Sequence, residues 1–430
     1  MHDLTDRLFD FISASPTAFH GVNTAAKLLS EAGYTRLAEA SAWDLVKGGR
    51  YYTTRNNSSL IAFRLPDKMP TGFMMTAAHC DSPTFKIKEN AQYADAHYTK
   101  LSTEGYGGMI MSTWMDRPLS IAGRVIVSTG NGFETRLVDF KEPCAMIPNL
   151  AIHMNRSAND GQKYNPAVDM VPVYSLTEGQ SVNERAAVLA GTAPENVLAS
   201  DLFLYNTDRG IRWGDYISSP RLDNMQCSFA CLEGFLASAD SASVPVYALF
   251  DNEEVGSLTR QGADSTFLAD VLDRITEQYG ADAEKKHQLY AASSMLSCDN
   301  AHAVHPNHGE VRDVNHSVYM NEGIVLKYNA TQRYATDGIS AALFRLVCEE
   351  AGVPFQRYAN RPDLKGGGTL GNISEAHVSV NTADIGLPQL AMHSAFETAG
   401  VKDTEYLIKA TGIFYSKSIH THADGSCELV

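Results

Sequence analysis

The chain has 430 residues, 44% of them hydrophobic and 20% charged, with a formal net charge of −15. That length exceeds the roughly 250–300 residues that one hydrophobic core serves, so two domains are expected. The negative balance is spread along the chain and argues against nucleic acid and anionic membranes as partners, and no apolar run reaches the ~20 residues of a membrane helix.

In chain order, the pattern predicts helices over 4–12 and 18–32, separated by the break Ser15-Pro16-Thr17. Strands are expected over 51–65, and the short apolar run 71–78 reads as a buried strand. From about Phe85 to Tyr216 the texture changes to short β-rich pieces (119–127, 170–174) between Gly, Asn and Asp turns. After Ser219-Pro220, helical patterns return over 225–239, 262–279 and 338–351. Between them lie strand-like runs at 244–250, 288–298, 324–327 and 389–392. Strand–helix alternation predicts an α/β sheet covered by helices. The expected architecture is discontinuous: residues 1–84 and 218–430 form the α/β domain, and 85–217 form an inserted β-rich domain. Seven cysteines carry no zinc-finger spacing, and Cys227 and Cys231 read as small buried apolar residues. An unframed odd count and an acidic opening, Met-His-Asp-Leu-Thr-Asp, predict a cytoplasmic protein.

Acids and histidines recur at the ends of these strands. His79 and Asp81 follow 71–78, Glu253 and Glu254 follow 244–250, Asp299 follows 288–298 and His393 follows 389–392. Asp223 precedes the helix at 225. Functional groups in open α/β sheets gather beyond the carboxyl ends of strands. Singly, each has a plainer reading: a polar strand end, a helix N-cap at Asp223, a solvated Glu-Glu turn. Together they suit zinc or a similar divalent ion, which accepts imidazole nitrogen and carboxylate oxygen. Two such ions carry four positive charges, and Asp223, Asp299 and Glu254 offset three of them. Glu253 is then free to act as a base and Asp81 to orient His79. His302 and His305 read as loop or supporting residues. Gly366-Gly-Gly-Thr-Leu-Gly371 matches a dinucleotide fingerprint but follows a polar loop rather than a buried strand, so we reject that reading. A glycine loop that brings backbone amides to a ligand fits better.

The chain resembles the aspartyl aminopeptidase family of cocatalytic metallopeptidases. The resemblance rests on Ser15-Pro-Thr-Ala-Phe-His20, His79-Cys-Asp-Ser-Pro83, Tyr106-Gly-Gly108 and WMDRPLSIAGR from Trp114. It continues through Leu222-Asp-Asn224, LFDNEEVGSLTRQGA from Leu249, Ala301-His-Ala-Val-His-Pro-Asn307, Gln332-Arg-Tyr-Ala-Thr336 and Gln389-Leu-Ala-Met-His-Ser394. It implies two divalent ions per subunit, zinc by default with cobalt or manganese fitting the same donors. One ion would be held by His79, Asp223 and Asp299, the other by Asp223, Glu254 and His393. It implies Glu253 as general base, with Asp81 orienting His79. His153 would enter a neighbouring subunit's site, within a tetrahedral dodecamer built from dimers through the inserted domain. Lys327 would meet an acidic substrate side chain, and Gly367 and Gly368 would line the pocket. The implied activity is removal of an acidic N-terminal residue from a peptide with a free N-terminus. Alternatives are a broad-specificity aminopeptidase, a metal-dependent amidase or deacylase, and an inactive scaffold. Two departures bear on substrate preference. Many members carry Cys-Gly-Ser/Thr-Thr at Gly366-Gly-Gly-Thr369, and many carry Arg at Phe396.

Overall fold

A computed structural model describes residues 3–176 and 180–430. Its spine is a nine-stranded sheet. Four parallel strands lie side by side at the centre, in the order Val244–Phe250, Phe73–His79, Ser294–Cys298 and Asn381–Gly386. These strands read as continuous apolar runs because both their faces are covered. Alternate residues serve opposite layers, as a two-residue repeat requires. Val246, Ala248 and Phe250 pack with Phe267 and Leu272 on one face. Tyr247 and Leu249 pack with Phe229, Phe235 and Phe414 on the other. The result is a helix–sheet–helix layering. Helices Leu222–Ala237, Gly338–Ala351 and Asp403–Tyr415 cover one side, and Phe267–Gln278 covers the other.

A separate six-stranded antiparallel sheet draws its strands from between Thr84 and Ser175, together with Val197–Asn206. It has its own core around Phe85, Trp114, Ile121 and Leu202. A third, five-stranded sheet joins Ile211–Trp213 and Tyr216–Ser219 to Glu397–Gly400, Pro388–Leu390 and Ala301–His302. Among the described residues, no helix is long and apolar enough to cross a membrane.

Two expectations need correction. The run at 288–298 is a helix, Ala283–Ala291, followed by a shorter strand, Ser294–Cys298. Asp282 caps that helix by accepting the Lys285 backbone N–H at 2.8 Å, and the helix buries only Leu289, so it carries little apolar signature. The strand expected at 389–392 is Pro388–Leu390, and it lies in the five-stranded sheet rather than the main one. Ala391 and His393 both take positive φ, 56° and 67°, which ends it.

One glycine controls how the sheet presents its end. A Cβ on Gly386 would lie 1.8 Å from the carbonyl oxygen of Asp299, on the neighbouring strand end. Gly386→Ala must push that segment away. It should destabilise the chain by about 1–3 kcal/mol, the usual range for overpacking, read from denaturant midpoints. An unchanged midpoint would show that the segment yields freely.

Candidate metal centre

Three neighbouring strands deliver the first residues. His79 ends Phe73–His79 and is paired in register with Phe250, the last residue of Val244–Phe250. Asn252 takes a left-handed turn, φ 62°, and throws Glu253 and Glu254 back over the sheet edge in a single 3-10 turn. Asp299 follows directly on Ser294–Cys298. Asp223 lies in the first turn of Leu222–Ala237, where the backbone is not yet helical (φ −80°, ψ 111°). The Asn224 side chain donates to the Cys298 carbonyl at 2.8 Å and ties this turn to the strand end bearing Asp299. His393 arrives from the five-stranded sheet.

These side chains converge. His79 Nε2 lies 3.5 Å from Asp223 Oδ1 and 3.5 Å from Asp299 Oδ1. His393 Nε2 lies 3.4 Å from Asp223 Oδ2 and 3.4 Å from Glu254 Oε2. The two oxygens of one carboxylate thus face two different imidazoles. Among the described residues, three groupings could hold an ion: His79 with Asp223 and Asp299, Asp223 with Glu254 and His393, and His79 with Glu253 and Glu254.

The spacing tests whether a metal fits. Strong hydrogen bonds run at about 2.7–3.2 Å. Donors bound at about 2.0–2.2 Å to one tetrahedral zinc stand roughly 3.3–3.5 Å apart, which is the spacing observed. Asp223 Oδ1 and Glu254 Oε1 are buried without any hydrogen-bond partner among the described residues. Orphaned carboxylate oxygens at depth are costly unless a cation takes them. The histidines are oriented for the same purpose. His79 Nδ1 faces the Asp81 carbonyl at 3.1 Å and Asp81 Oδ1 at 3.3 Å. His393 Nδ1 faces the Gly108 carbonyl at 2.7 Å. Donation from Nδ1 leaves each Nε2 lone pair directed into the cluster. The residues present fit two divalent ions.

Electrostatics show the same crowding. Burial alone would lower His79, but Asp223, Asp299 and Asp81 outweigh it and hold the imidazole well above its ordinary value. Burial also opposes His393, and Asp223 and Glu254 raise it to about 10. Glu253 is pushed up to about 8 and Glu254 well above the usual carboxylate range, chiefly by burial. Every one of these shifts favours added positive charge at the cluster.

Glu253 and Glu254 differ in place. The Glu254 side chain is 3% exposed and the Glu253 side chain 17%. Glu253 borders a cleft of about 460 Å³ that opens on the cluster, and its Oε2 is 3.9 Å from His79 Nε2. Asp81 has partners besides His79. Its carboxylate accepts the backbone N–H groups of Glu253 and Glu254 at 3.2 and 3.1 Å and the Tyr106 hydroxyl at 2.7 Å.

Lys327 is buried in the cleft wall. Its Nζ donates to the Asn300 carbonyl at 2.9 Å and lies 3.4 Å from Asp299 Oδ2. Gly367 and Gly368 border the same cleft, and a Cβ on either would meet nothing within 4 Å. The backbone does not require glycine there, so the missing side chains only widen the cleft. His302 also lines the cleft but belongs to none of the metal groupings, and His305 is exposed. His153 is exposed in the loop 149–157 and does not join the cluster within this chain. Phe396 lies under the Arg117 guanidinium, 5.7 Å from ring centre to carbon.

Sequence reasoning missed Glu397, Tyr106 and Asn252. Glu397 is 2% exposed and accepts the backbone N–H groups of both His393 and Asp223. An acid within a buried strand was the available signal.

Comparison with known proteins bears on this geometry. The profile of the family described as Aminopeptidase I zinc metalloprotease (M18) matches residues 11–415. A probable M18 family aminopeptidase 2 of Clostridium acetobutylicum is 44% identical over 427 residues, covering 96% of this chain and 99% of its own. The structure of an Ape4 and Nbr1 complex contains a chain that superposes with a TM-score of 0.92 at 34% identity, covering 95% of this chain and 85% of that one. The S. cerevisiae mApe1 dodecamer superposes at 0.84 with 29% identity over 96% of each chain. A cluster of two imidazoles and four carboxylates on an α/β sheet edge, matched over nearly the whole length, settles the assignment: the chain belongs to the M18 family of zinc metallo-aminopeptidases.

Proposed function

We propose that the chain removes single N-terminal residues from peptides, using two divalent ions and Glu253 as the general base. The observation that carries this reading is Asp223, whose two oxygens face His79 and His393 separately. His79, Asp223 and Asp299 would hold one ion, and Asp223, Glu254 and His393 the other, zinc by default with cobalt or manganese suited to the same donors. Bound divalent ions supply polarisation of the scissile carbonyl and a water acidic enough to lose a proton near neutrality.

The chain's own groups do the rest. The Glu253 carboxylate, bordering the cleft, takes the water's proton and returns it to the leaving amine. Asp81 fixes the Glu253–Glu254 turn through their amides, so the base and its neighbour keep separate tasks. Glu253 and Glu254 line the cleft, where carboxylate oxygens can accept hydrogen bonds from a free α-ammonium. Lys327 has three N–H donors, of which Asn300 and Asp299 occupy two. The third supports a preference for acidic N-terminal side chains.

The region 85–217, built on the six-stranded sheet, is read as an assembly domain inserted between the catalytic segments 1–84 and 218–430. Around His153 its surface exposes Leu150, Ile152 and Met154 at 58, 45 and 76%. An apolar patch of that kind is suited to a subunit contact. The similar mApe1 dodecamer supports a homo-oligomer of the same order, and His153 would then complete a neighbouring subunit's site. The free cysteines support the reading of a cytoplasmic location.

Two experiments test these assignments. Glu253→Gln should keep bound metal, measured by elemental analysis, while kcat falls by about 10²–10⁴-fold, the usual worth of a positioned base; full activity would remove Glu253 from the mechanism. A panel of chromogenic substrates differing only in the N-terminal residue should rank Asp and Glu first, and N-acetylation should abolish turnover. Cleavage of the acetylated forms would favour a deacylase instead.

A further inference from the structure

We propose that Glu397 is a positioning residue that sets how tightly the half of the cluster made by Asp223, Glu254 and His393 binds a divalent cation. The inference rests on the two-ion reading above. Glu397 touches no ion and no substrate; it acts through the backbone of two residues that do.

The geometry is specific. Glu397 Oε1 accepts the His393 N–H at 2.7 Å, and Oε2 accepts the Asp223 N–H at 2.9 Å. The two amides belong to elements distant in sequence and of different origin. Asp223 lies in a helix first turn, and His393 in a loop with left-handed backbone. Neither conformation is held by a regular ladder. The carboxylate itself is anchored, because Glu397 pairs in register with Ser219, four residues before Asp223. One strand pairing and two side-chain bonds therefore close a ring that includes both metal-facing residues. That ring sets the 3.4 Å approach of His393 Nε2 to Asp223 Oδ2.

By contrast, His79 and Asp299 are carried on paired strands of the main sheet and do not depend on Glu397. Asp223 serves both halves, but Asn224 still ties its turn to the Cys298 carbonyl, so loss of the staple should fall mainly on the His393 half. Supporting groups around a metal typically affect its affinity about 10–100-fold. Both oxygens of this buried carboxylate are spent on two backbone amides, and burying a charge for those two bonds alone would be costly without a further purpose.

The test is zinc binding by the full, untagged chain after demetallation, at buffered free zinc, with bound metal counted by elemental analysis. Two variants separate geometry from charge. In Glu397→Gln the amide nitrogen must face one of the N–H donors. In Glu397→Asp the charge remains, but the shorter side chain reaches only one amide. Both variants should lose one zinc equivalent at a free concentration that saturates the wild type with two, a weakening of about 10–100-fold for that ion. Excess zinc should restore kcat, with KM for the peptide unchanged, which a general folding defect would not allow. Wild-type affinity for both ions in either variant overturns the proposal. So does loss of both ions together with activity that zinc does not restore. A wild type that takes up only one equivalent overturns the two-ion reading and this proposal with it, whereas two equivalents in wild type and variants overturn this proposal alone.

Discussion

Asp223 presents each of its oxygens to a different imidazole at 3.4–3.5 Å, and one of those oxygens has no hydrogen-bond partner among the described residues. A buried carboxylate in that position is a liability in a metal-free protein. Glu254, Glu253 and Asp299 crowd the same space, and Lys327 is the one buried ammonium beside them among the described residues. Such a concentration of negative charge at low dielectric is tolerated only with compensating cations. The same crowding favours protons: burial pushes Glu253 and Glu254 upward, and the neighbouring carboxylates raise His79 and His393 against the effect of their burial. Divalent ions held by these residues would supply that compensation better and would add a Lewis acid beside the cleft.

The fold exists to hold these groups at that spacing. Parallel strands covered on both faces end at a common edge, so register alone places His79 beside the Glu253–Glu254 turn. Asp223 and His393 lack that support and rely on side-chain bonds: Asn224 to Cys298, His393 to Gly108, and Glu397 to both. Rigid strands thus set one half of the cluster and a hydrogen-bonded staple sets the other. Gly386 shows how tightly the edge is built, since not even a methyl group fits between it and Asp299.

Much of this was legible in the sequence. His79, Glu253, Glu254 and Asp299 were visible because each interrupts an apolar run, and an apolar run buried on both faces is the clearest strand signal. Asp223 was harder, since an acid before a helix normally reads as a cap; its side chain caps nothing here. His393 was expected beyond a strand of the main sheet but follows one of the five-stranded sheet, because a three-residue strand has no periodicity to read. Residues 288–291, the last turn of the helix Ala283–Ala291, read as the start of a strand because that helix buries a single leucine. Glu397 escaped notice because a lone acid in a four-residue strand looks like a solvent-facing position until its two backbone partners, 174 and 4 residues away, are brought beside it. His153 illustrates a different limit. Its proposed task depends on a second copy of the chain, and one chain's pattern carries no trace of where that copy sits.

The most direct test of the account is a zinc-edge anomalous difference map from crystals of the zinc-loaded chain. Two peaks are predicted, one among His79, Asp223 and Asp299 and one among Asp223, Glu254 and His393, with Asp223 shared and Glu253 bound to neither. A single peak, or a peak ligated by Glu253, would contradict it.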